Sequence, residues 1–292
     1  MDGVLVIDKP QGLTSHDVVA RARRALGETR IGHTGTLDPL ATGILPLAIG
    51  RATRLARFLT AADKDYEATI RFGATMDSYD AMGAETGRTD RVPTRGAVLT
   101  AIEALTGDYL QLPPAFSAKK IEGRRAYRMA RLGQAVTLTP VPVRVSCADL
   151  LDLTDGTARV SLTCSSGFYV RSFAHALGEL TGTGAYLDAL RRTRSGEFGL
   201  DIAMSMDRLR AISGPGDSLI ALGGLLPHFP AVTLTDQGLN HVSYGREISP
   251  EDYANGTVDS AWVRLLDGTG ALVAMATAGQ TRGSLHPSVV LV

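Results

Sequence analysis

Apolar residues recur in two rhythms along this chain. Over residues 66–72, Tyr, Ala, Ile and Phe alternate with Glu, Thr and Arg, the period of two expected of a half-buried strand. Over residues 15–26, Val18, Val19, Ala22, Ala25 and Leu26 return every three or four positions, which predicts an amphipathic helix with Thr14 or Ser15 as its N-cap and Gly27 as its stop. Residues 4–7, 44–49, 147–153 and 158–164 are apolar enough for strands, and 52–59, 96–105 and 125–132 read as helices. The run 165–171, Ser-Ser-Gly-Phe-Tyr-Val-Arg, leads into a further helix reaching about Leu180, whereas 73–92 reads as polar loop. Pro140 and Pro142 break any regular continuation of 136–145. Strands and helices do not alternate strictly, so the fold class is α+β rather than a parallel βαβ wind. A breaker-rich stretch from Ser213-Gly214-Pro215-Gly216 to Pro227–Pro230 places a domain boundary near Phe229, dividing a large unit, 1–229, from a small β-rich one, 230–292. Within the small unit, 258–265 and 272–276 are the expected strands.

Composition narrows the class. A chain of 292 residues with 44% apolar and 21% charged residues suits a globular protein of one large and one small domain, and 32 glycines imply many turns, not disorder. Cys147 and Cys164 lie in apolar, β-branched surroundings without CxxC spacing, so two buried free thiols are expected, not a disulfide or a zinc site. Residues 1–9 carry no basic segment followed by a long apolar run, and no later run reaches membrane-spanning length; a cytoplasmic protein with no membrane partner is expected. Net charge is zero, but it is unevenly spread. Between 116 and 144, Lys119, Lys120, Arg124, Arg125, Arg128, Arg131 and Arg144 stand against Glu122 alone, a net +6, while 231–292 carries a net −3. The basic segment is a candidate phosphate-binding surface, although a solvated helix face has the same composition.

The densest chemical signal is Gly32-His33-Thr34-Gly35-Thr36-Leu37-Asp38-Pro39-Leu40-Ala41-Thr42-Gly43. Its three glycines permit close backbone approach or positive φ, and Pro39 fixes φ directly after a single carboxylate. Asp-Pro in a Gly/Thr-rich segment is also an ordinary turn former, so this loop alone does not separate chemistry from capping.

The twelve residues closely resemble the active-site motif of the TruB family of tRNA pseudouridine synthases, and further motifs follow in the family's order across about residues 4–199. The resemblance implies the pseudouridine synthase fold, a mixed, largely antiparallel sheet with flanking helices, followed by a PUA-like C-terminal domain. It implies isomerisation of uridine to pseudouridine in the T-loop of tRNA, at position 55, by base flipping and without metal or any other cofactor. Asp38 is then the catalytic carboxylate, acting as nucleophile or as stabiliser of a ring-opened or glycal intermediate. Arg171 is similar to the arginine that pairs with it, and Tyr169 matches a family active-site tyrosine. Tyr66, in Lys64-Asp65-Tyr66-Glu67-Ala68, resembles the tyrosine that stacks on the target base, and Leu190 the apolar residue lining the pocket opposite it. His33 takes the place vacated by the flipped base. Lys9, in Asp8-Lys9-Pro10-Gln11-Gly12, matches the motif that supports the active-site loop, and Asp80 falls where the family carries an acidic residue near the cleft.

The segment 116–144 corresponds to the inserted RNA-binding arm, with Lys120, Arg124, Arg125 and Arg128 as phosphate contacts. Lys119 departs from the pattern, since an aliphatic residue is usual there, while Lys120, Gly123 and Tyr127 fit. The implied partner is the tRNA T stem-loop, bound by a monomer that needs no protein partner. Two other readings share these motifs: an RNA chaperone that remodels the tRNA elbow, and the catalytic subunit of a guide-RNA complex. The chain lacks the extended basic tails that such subunits often carry.

Overall fold

The structure, a computed structural model, describes residues 1–115, 120–121, 124–125, 138–211, 216–255 and 260–292. Its main element is an eleven-stranded mixed sheet. We label its principal strands and the helices packed on it in chain order: β1 (Gly3–Lys9), α1 (Ser15–Leu26), β2 (Ile31–His33), β3 (Thr42–Ile49), β4 (Lys64–Phe72), α2 (Arg95–Ala104), β5 (Gly107–Gln111), β6 (Val141–Thr154), β7 (Thr157–Cys164), α3 (Val170–Thr181) and β8 (Ala185–Ser195). From the short strand Met204–Ser205 the order runs β1, β3, β8, β4, β7, β6, β5. Most neighbours are antiparallel; β8 meets β3 parallel through Arg191–Thr42 and Arg192–Gly43.

β1 and β3 are apolar on both faces because both faces are covered. Leu5, Ile7, Leu45 and Leu47 pack with Val18, Val19 and Ala22 of α1 and with Phe173 and Leu177 of α3. Val4, Val6, Ile44 and Ala48 pack instead against Leu272, Met275 and Leu291 from the C-terminal part of the chain. β4 keeps the expected alternation, with Lys64, Tyr66, Ala68, Ile70 and Phe72 buried on one face. α1 has the expected bounds: Thr14 is its N-cap, closing a capping box with Asp17, and Gly27 ends it in the left-handed region.

The C-terminal β domain is a five-stranded sheet made of β9 (Ala231–Leu234), β10 (Tyr253–Ala254), β11 (Val263–Leu266), β12 (Leu272–Ala278) and β13 (Leu285–Val290), in the order β10, β9, β11, β12, β13. It also carries a helix the β-rich pattern did not suggest, α4 (Asp236–Ser243), capped by the Thr235 hydroxyl.

Other expectations need correcting. The strand expected at 258–265 is Val263–Leu266, and 256–259 lie outside the described residues. The loop expected at 73–92 contains a two-stranded ribbon, Ala74–Met76 with Glu85–Arg88, whose second strand is exposed throughout and so has no apolar rhythm. The helix expected at 52–59 is a 3-10 segment, Gly50–Leu55, followed by the α-helix Ala56–Ala61. β6 runs through Pro142, because its pairing with β7 begins only at Val145 and the missing N–H of Pro142 removes no bond on that side. Arg125, placed at the start of a helix, pairs with Lys120 in a short hairpin, Lys120–Ile121 with Arg124–Arg125; the rest of that helix, 126–132, lies outside the described residues. Cys164 is buried but Cys147 is exposed, since it sits on the strand face turned to solvent.

β8 had no counterpart in the sequence pattern although it lies between β3 and β4. Two register shifts, between Leu187 and Ala189 and between Arg192 and Arg194, break its period of two, and buried Arg192 falls where an apolar residue would be expected.

Candidate active site

The Asp38 loop joins β2 to β3 and is tied down on three sides. The Ser15 hydroxyl, at the first turn of α1, accepts from the Leu37 N–H at 2.8 Å and lies 3.1 Å from the Leu37 carbonyl, to which it donates. The Gly12 N–H donates to the Pro39 carbonyl at 2.8 Å, fastening the β1–α1 turn to the loop. From β8, the Arg192 guanidinium donates to the carbonyls of Ile44 (2.7 Å) and Gly35 (3.1 Å), one on each side of Asp38. This crossing explains Gly43: its φ is 98°, and a Cβ there would lie 2.2 Å from the Arg192 carbonyl oxygen.

Arg171 stands in the first turn of α3 and is 6% exposed. Its Nε lies 2.9 Å from Asp38 Oδ2 and 3.5 Å from Asp80 Oδ2, and its Nη1 donates to the Ser78 carbonyl at 3.2 Å. Asp80 is held from behind, accepting from the Ser78 hydroxyl at 2.7 Å and from the Met82 N–H at 3.0 Å. The 78–81 loop is stitched to β8 by the Leu187 N–H to the Tyr79 carbonyl and the Ala81 N–H to the Leu187 carbonyl. Tyr79, at φ 63°, stacks on His175 with ring centroids 3.9 Å apart. His175 lies four residues beyond Arg171 on α3, so the stack and the ion pair brace the same loop against the same helix. The start of α3 is itself clamped: Gln111 exchanges hydrogen bonds with the Tyr169 backbone at 2.8 and 3.1 Å, and the Ser172 hydroxyl donates to the Leu112 carbonyl.

These elements enclose a cavity of about 230 Å³ lined by Asp38, Lys64, Tyr66, Tyr169, Arg171, Leu190 and Arg192 among others. The volume lies below the ~300–1,000 Å³ of drug-sized pockets and suits one nucleobase. The Asp38 side chain is 38% exposed, but the surface it shows faces this cavity and is otherwise packed round by protein. Burial therefore raises its pKa above the usual carboxylate value; Arg171 opposes that rise, Asp80 adds to it, and Lys9 opposes it more weakly. Burial likewise raises the Tyr66 hydroxyl, while the positive charge of Arg192 pulls the other way.

Asp38, Tyr66, Tyr169, Arg171 and Leu190 line the cavity together. Asp80 stands one ion pair behind, through Arg171. Lys9 is fully buried beneath the loop, donating to the carbonyls of its own turn, Pro10 and Leu13, and burial pushes its pKa down to about 8. It therefore faces the protein and is not among the residues that line the cavity. His33 ends β2 with a buried Nδ1 that has no hydrogen-bond partner among the described residues, and burial holds its ring below the usual histidine range. Lys120, Arg124 and Arg125 belong to the short hairpin, while Lys119, Glu122, Gly123, Tyr127, Arg128 and Arg131 lie outside the described residues.

Sequence reasoning passed over Ser78, Gln111, Lys64 and Arg192. The Ser78 hydroxyl acts within its own loop, on Asp80 two residues on, and Gln111 acts on the Tyr169 backbone 58 residues away; no periodicity marks either. Lys64 and Arg192 belong to stretches already singled out, but a charge in a strand reads as a solvent-facing position.

The chain is similar to known proteins in sequence and in fold. The family model for the TruB family pseudouridylate synthase, N-terminal domain, matches residues 23–170. The tRNA pseudouridine synthase B of Solibacter usitatus (strain Ellin6076) is 44% identical over 295 residues, covering 100% of both chains. That of Mycobacterium ulcerans (strain Agy99) is 42% identical over 275 residues, covering 90% of each. Among solved structures, a chain of the archaeal box H/ACA sRNP Nop10–Cbf5 complex superposes over 99% of this chain and 86% of its own with a TM-score of 0.75 at 22% identity, a likeness of fold.

Proposed function

The chain belongs to the TruB family of pseudouridylate synthases, and we propose that it isomerises uridine 55 in the T-loop of tRNA to pseudouridine, with Asp38 as its catalytic carboxylate. The observation that carries this reading is the Asp38–Arg171 pair, at 2.9 Å, in the wall of a base-sized cavity that also presents Tyr66 and Leu190. A uridine inside a folded RNA must leave its stack before its glycosidic bond can be reached, and an aromatic face opposite an apolar one receives the flipped base. Tyr66 and Leu190 supply those faces, and His33 fills the gap left behind. Asp38 meets the sugar at C1′, acting as nucleophile or assisting departure of the base toward a glycal. Arg171 favours the ionised carboxylate in a site where burial disfavours its charge, and Asp80 orients Arg171. Tyr169 closes the wall beside it. The reaction moves no electrons to or from the substrate as a whole, so it calls for no redox or energy-supplying cofactor.

Lys120, Arg124, Arg125 and Arg128, in the +6 segment, are assigned to phosphates of the T stem-loop. The proposal extends to a division of the chain near Phe229, a PUA-like C-terminal domain, and a cytoplasmic monomer acting without a protein partner. Among the described residues no helix is long and apolar enough to cross a membrane.

The experiment is tritium release from a [5-³H]uridine-labelled tRNA transcript, without added metal or nucleotide, by wild-type protein and by Asp38→Asn. Release by the wild type alone is expected, with filter binding of tRNA retained by the variant. Absence of release from both, with tRNA still bound, would sink the assignment.

A further inference from the structure

Arg192 is a buried guanidinium that lines the reaction cavity while the carboxylates there are engaged elsewhere. It is 1% exposed. Among the described residues, Asp38 and Asp80 both pair with Arg171. Arg192 donates to the carbonyls of Ile44 and Gly35. Lys64 lines the same cavity, is 6% exposed, and donates to the carbonyls of Thr60 and Ala62. These are two cations held by neutral dipoles in one wall. A guanidinium stays charged even when buried, and a charge that is not matched by a counter-ion costs free energy in the resting protein. Such an arrangement is accounted for when negative charge arrives during the reaction, since preorganised charge aimed at a developing ion is a large contributor to catalysis.

The chemistry proposed above generates that charge. When the C1′–N1 bond breaks, its electron pair leaves with the base and spreads over N1, O2 and O4. The valence at C1′ is filled either by a bond to an Asp38 oxygen or by a C1′–C2′ double bond formed as C2′ loses a proton. Both routes produce a uracil anion. C5 then attacks C1′ as the Asp38 carboxylate leaves, or as C2′ regains its proton; N1 is protonated, and the C5 proton is lost.

We propose that Arg192, with Lys64 beside it, is the anion-stabilising wall that takes up the charge of the detached uracil. The inference rests on the pseudouridine synthase reading but is independent of the route through Asp38. Arg192 also holds both shoulders of the Asp38 loop, so a test must separate charge stabilisation from support.

Leaving-group ability does so. Fluorine at C5 withdraws electron density and makes the uracil anion easier to expel, so a 5-fluorouridine-substituted tRNA depends less on a stabilising cation. Single-turnover consumption of uridine and of 5-fluorouridine, read by nucleoside chromatography after nuclease digestion, is compared for wild type, Arg192→Gln, Arg192→Lys and Lys64→Gln. Arg192→Gln is expected to slow uridine consumption ~100-fold, with a loss ~10-fold smaller on 5-fluorouridine and tRNA affinity within about twofold of wild type. Arg192→Lys should recover part of the uridine rate. Equal slowing on both substrates would overturn the inference and leave Arg192 a support of the loop. Should Arg192→Gln lose the wild-type near-UV circular dichroism, Lys64→Gln decides alone: a selective deficit on uridine supports the wall, and a uniform deficit or none overturns it. A wild type that consumes neither nucleoside would overturn the functional reading and this inference with it.

Discussion

Asp38 and Arg171 form a pair whose value lies in electrostatics, not in adhesion. The carboxylate works when ionised, so activity is present above its pKa and is lost as pH falls through it. Burial has raised that pKa, and Arg171 is the largest influence holding it down. Arg171→Gln should therefore lift it further: the acidic limb of the single-turnover pH–rate profile moves to higher pH, and the rate at neutral pH falls ~100-fold or more. An acidic limb that stays in place while the rate drops would show that Arg171 serves geometry alone. Both partners were legible from sequence because each sits in a motif with few structural uses, Asp38 among glycines and Arg171 after Gly-Phe-Tyr-Val. Asp80 was half legible: its acidity could be noted, but not the Ser78 hydroxyl and the Tyr79–His175 stack that aim it. Arg192 stood in plain view as the second arginine of a pair, and only burial distinguishes it from Arg191, which bonds Asp8 at a partly exposed site.

At the scale of elements, the site depends on β8 crossing β3 with no side chain between them. Gly43 makes that crossing possible, and Gly43→Ala combines a left-handed φ of 98° with a Cβ 2.2 Å from a backbone oxygen. Neither can be relieved by a rotamer change, so a loss of ~2–4 kcal/mol in unfolding free energy is expected by urea titration. Gly32→Ala, in the same motif but without positive φ and with nothing within 4 Å of the added carbon, should stay within ~0.5 kcal/mol. Equal losses in the two variants would mean that loop flexibility, not the crossing, sets the requirement. The helices and regular strands were readable because one repeating face met one core, as in α1 and β4. β8 was not, since its two register shifts change which residues face inward within eleven positions. The exposed ribbon strand Glu85–Arg88 had no buried face to write a pattern. Sequence periodicity records burial, and elements held by backbone pairing alone leave little trace in it.

Across the whole molecule, the proposed boundary near Phe229 is read from Pro and Gly, but what joins the two sides has no such signal in the sequence. Val4, Val6 and Ile44 of the main sheet share one apolar cluster with Leu272, Met275 and Leu291 of the C-terminal domain. The Arg51 and Arg54 guanidiniums donate across the junction to the carbonyls of Leu291 (2.8 Å) and Val290 (2.6 Å). Trp262, the single tryptophan, packs edge-on to Phe58 at 4.8 Å, with Arg57 over its ring at 4.5 Å. An apolar junction of this kind ties the unfolding of one side to the other, because separating them exposes the outer faces of β1 and β3. Tryptophan emission reports the junction, whereas far-UV circular dichroism reports the whole chain. The two urea midpoints of the wild type should therefore coincide within ~0.2 M, and Trp262→Ala, which removes the emission probe and is followed by far-UV circular dichroism, should unfold in one transition at a lower midpoint. A tryptophan transition that precedes the loss of secondary structure would instead mark the junction as a docking contact between independently stable domains. In that case the catalytic sheet could tolerate losing its C-terminal partner, which the continuous apolar cluster under β1 and β3 argues against.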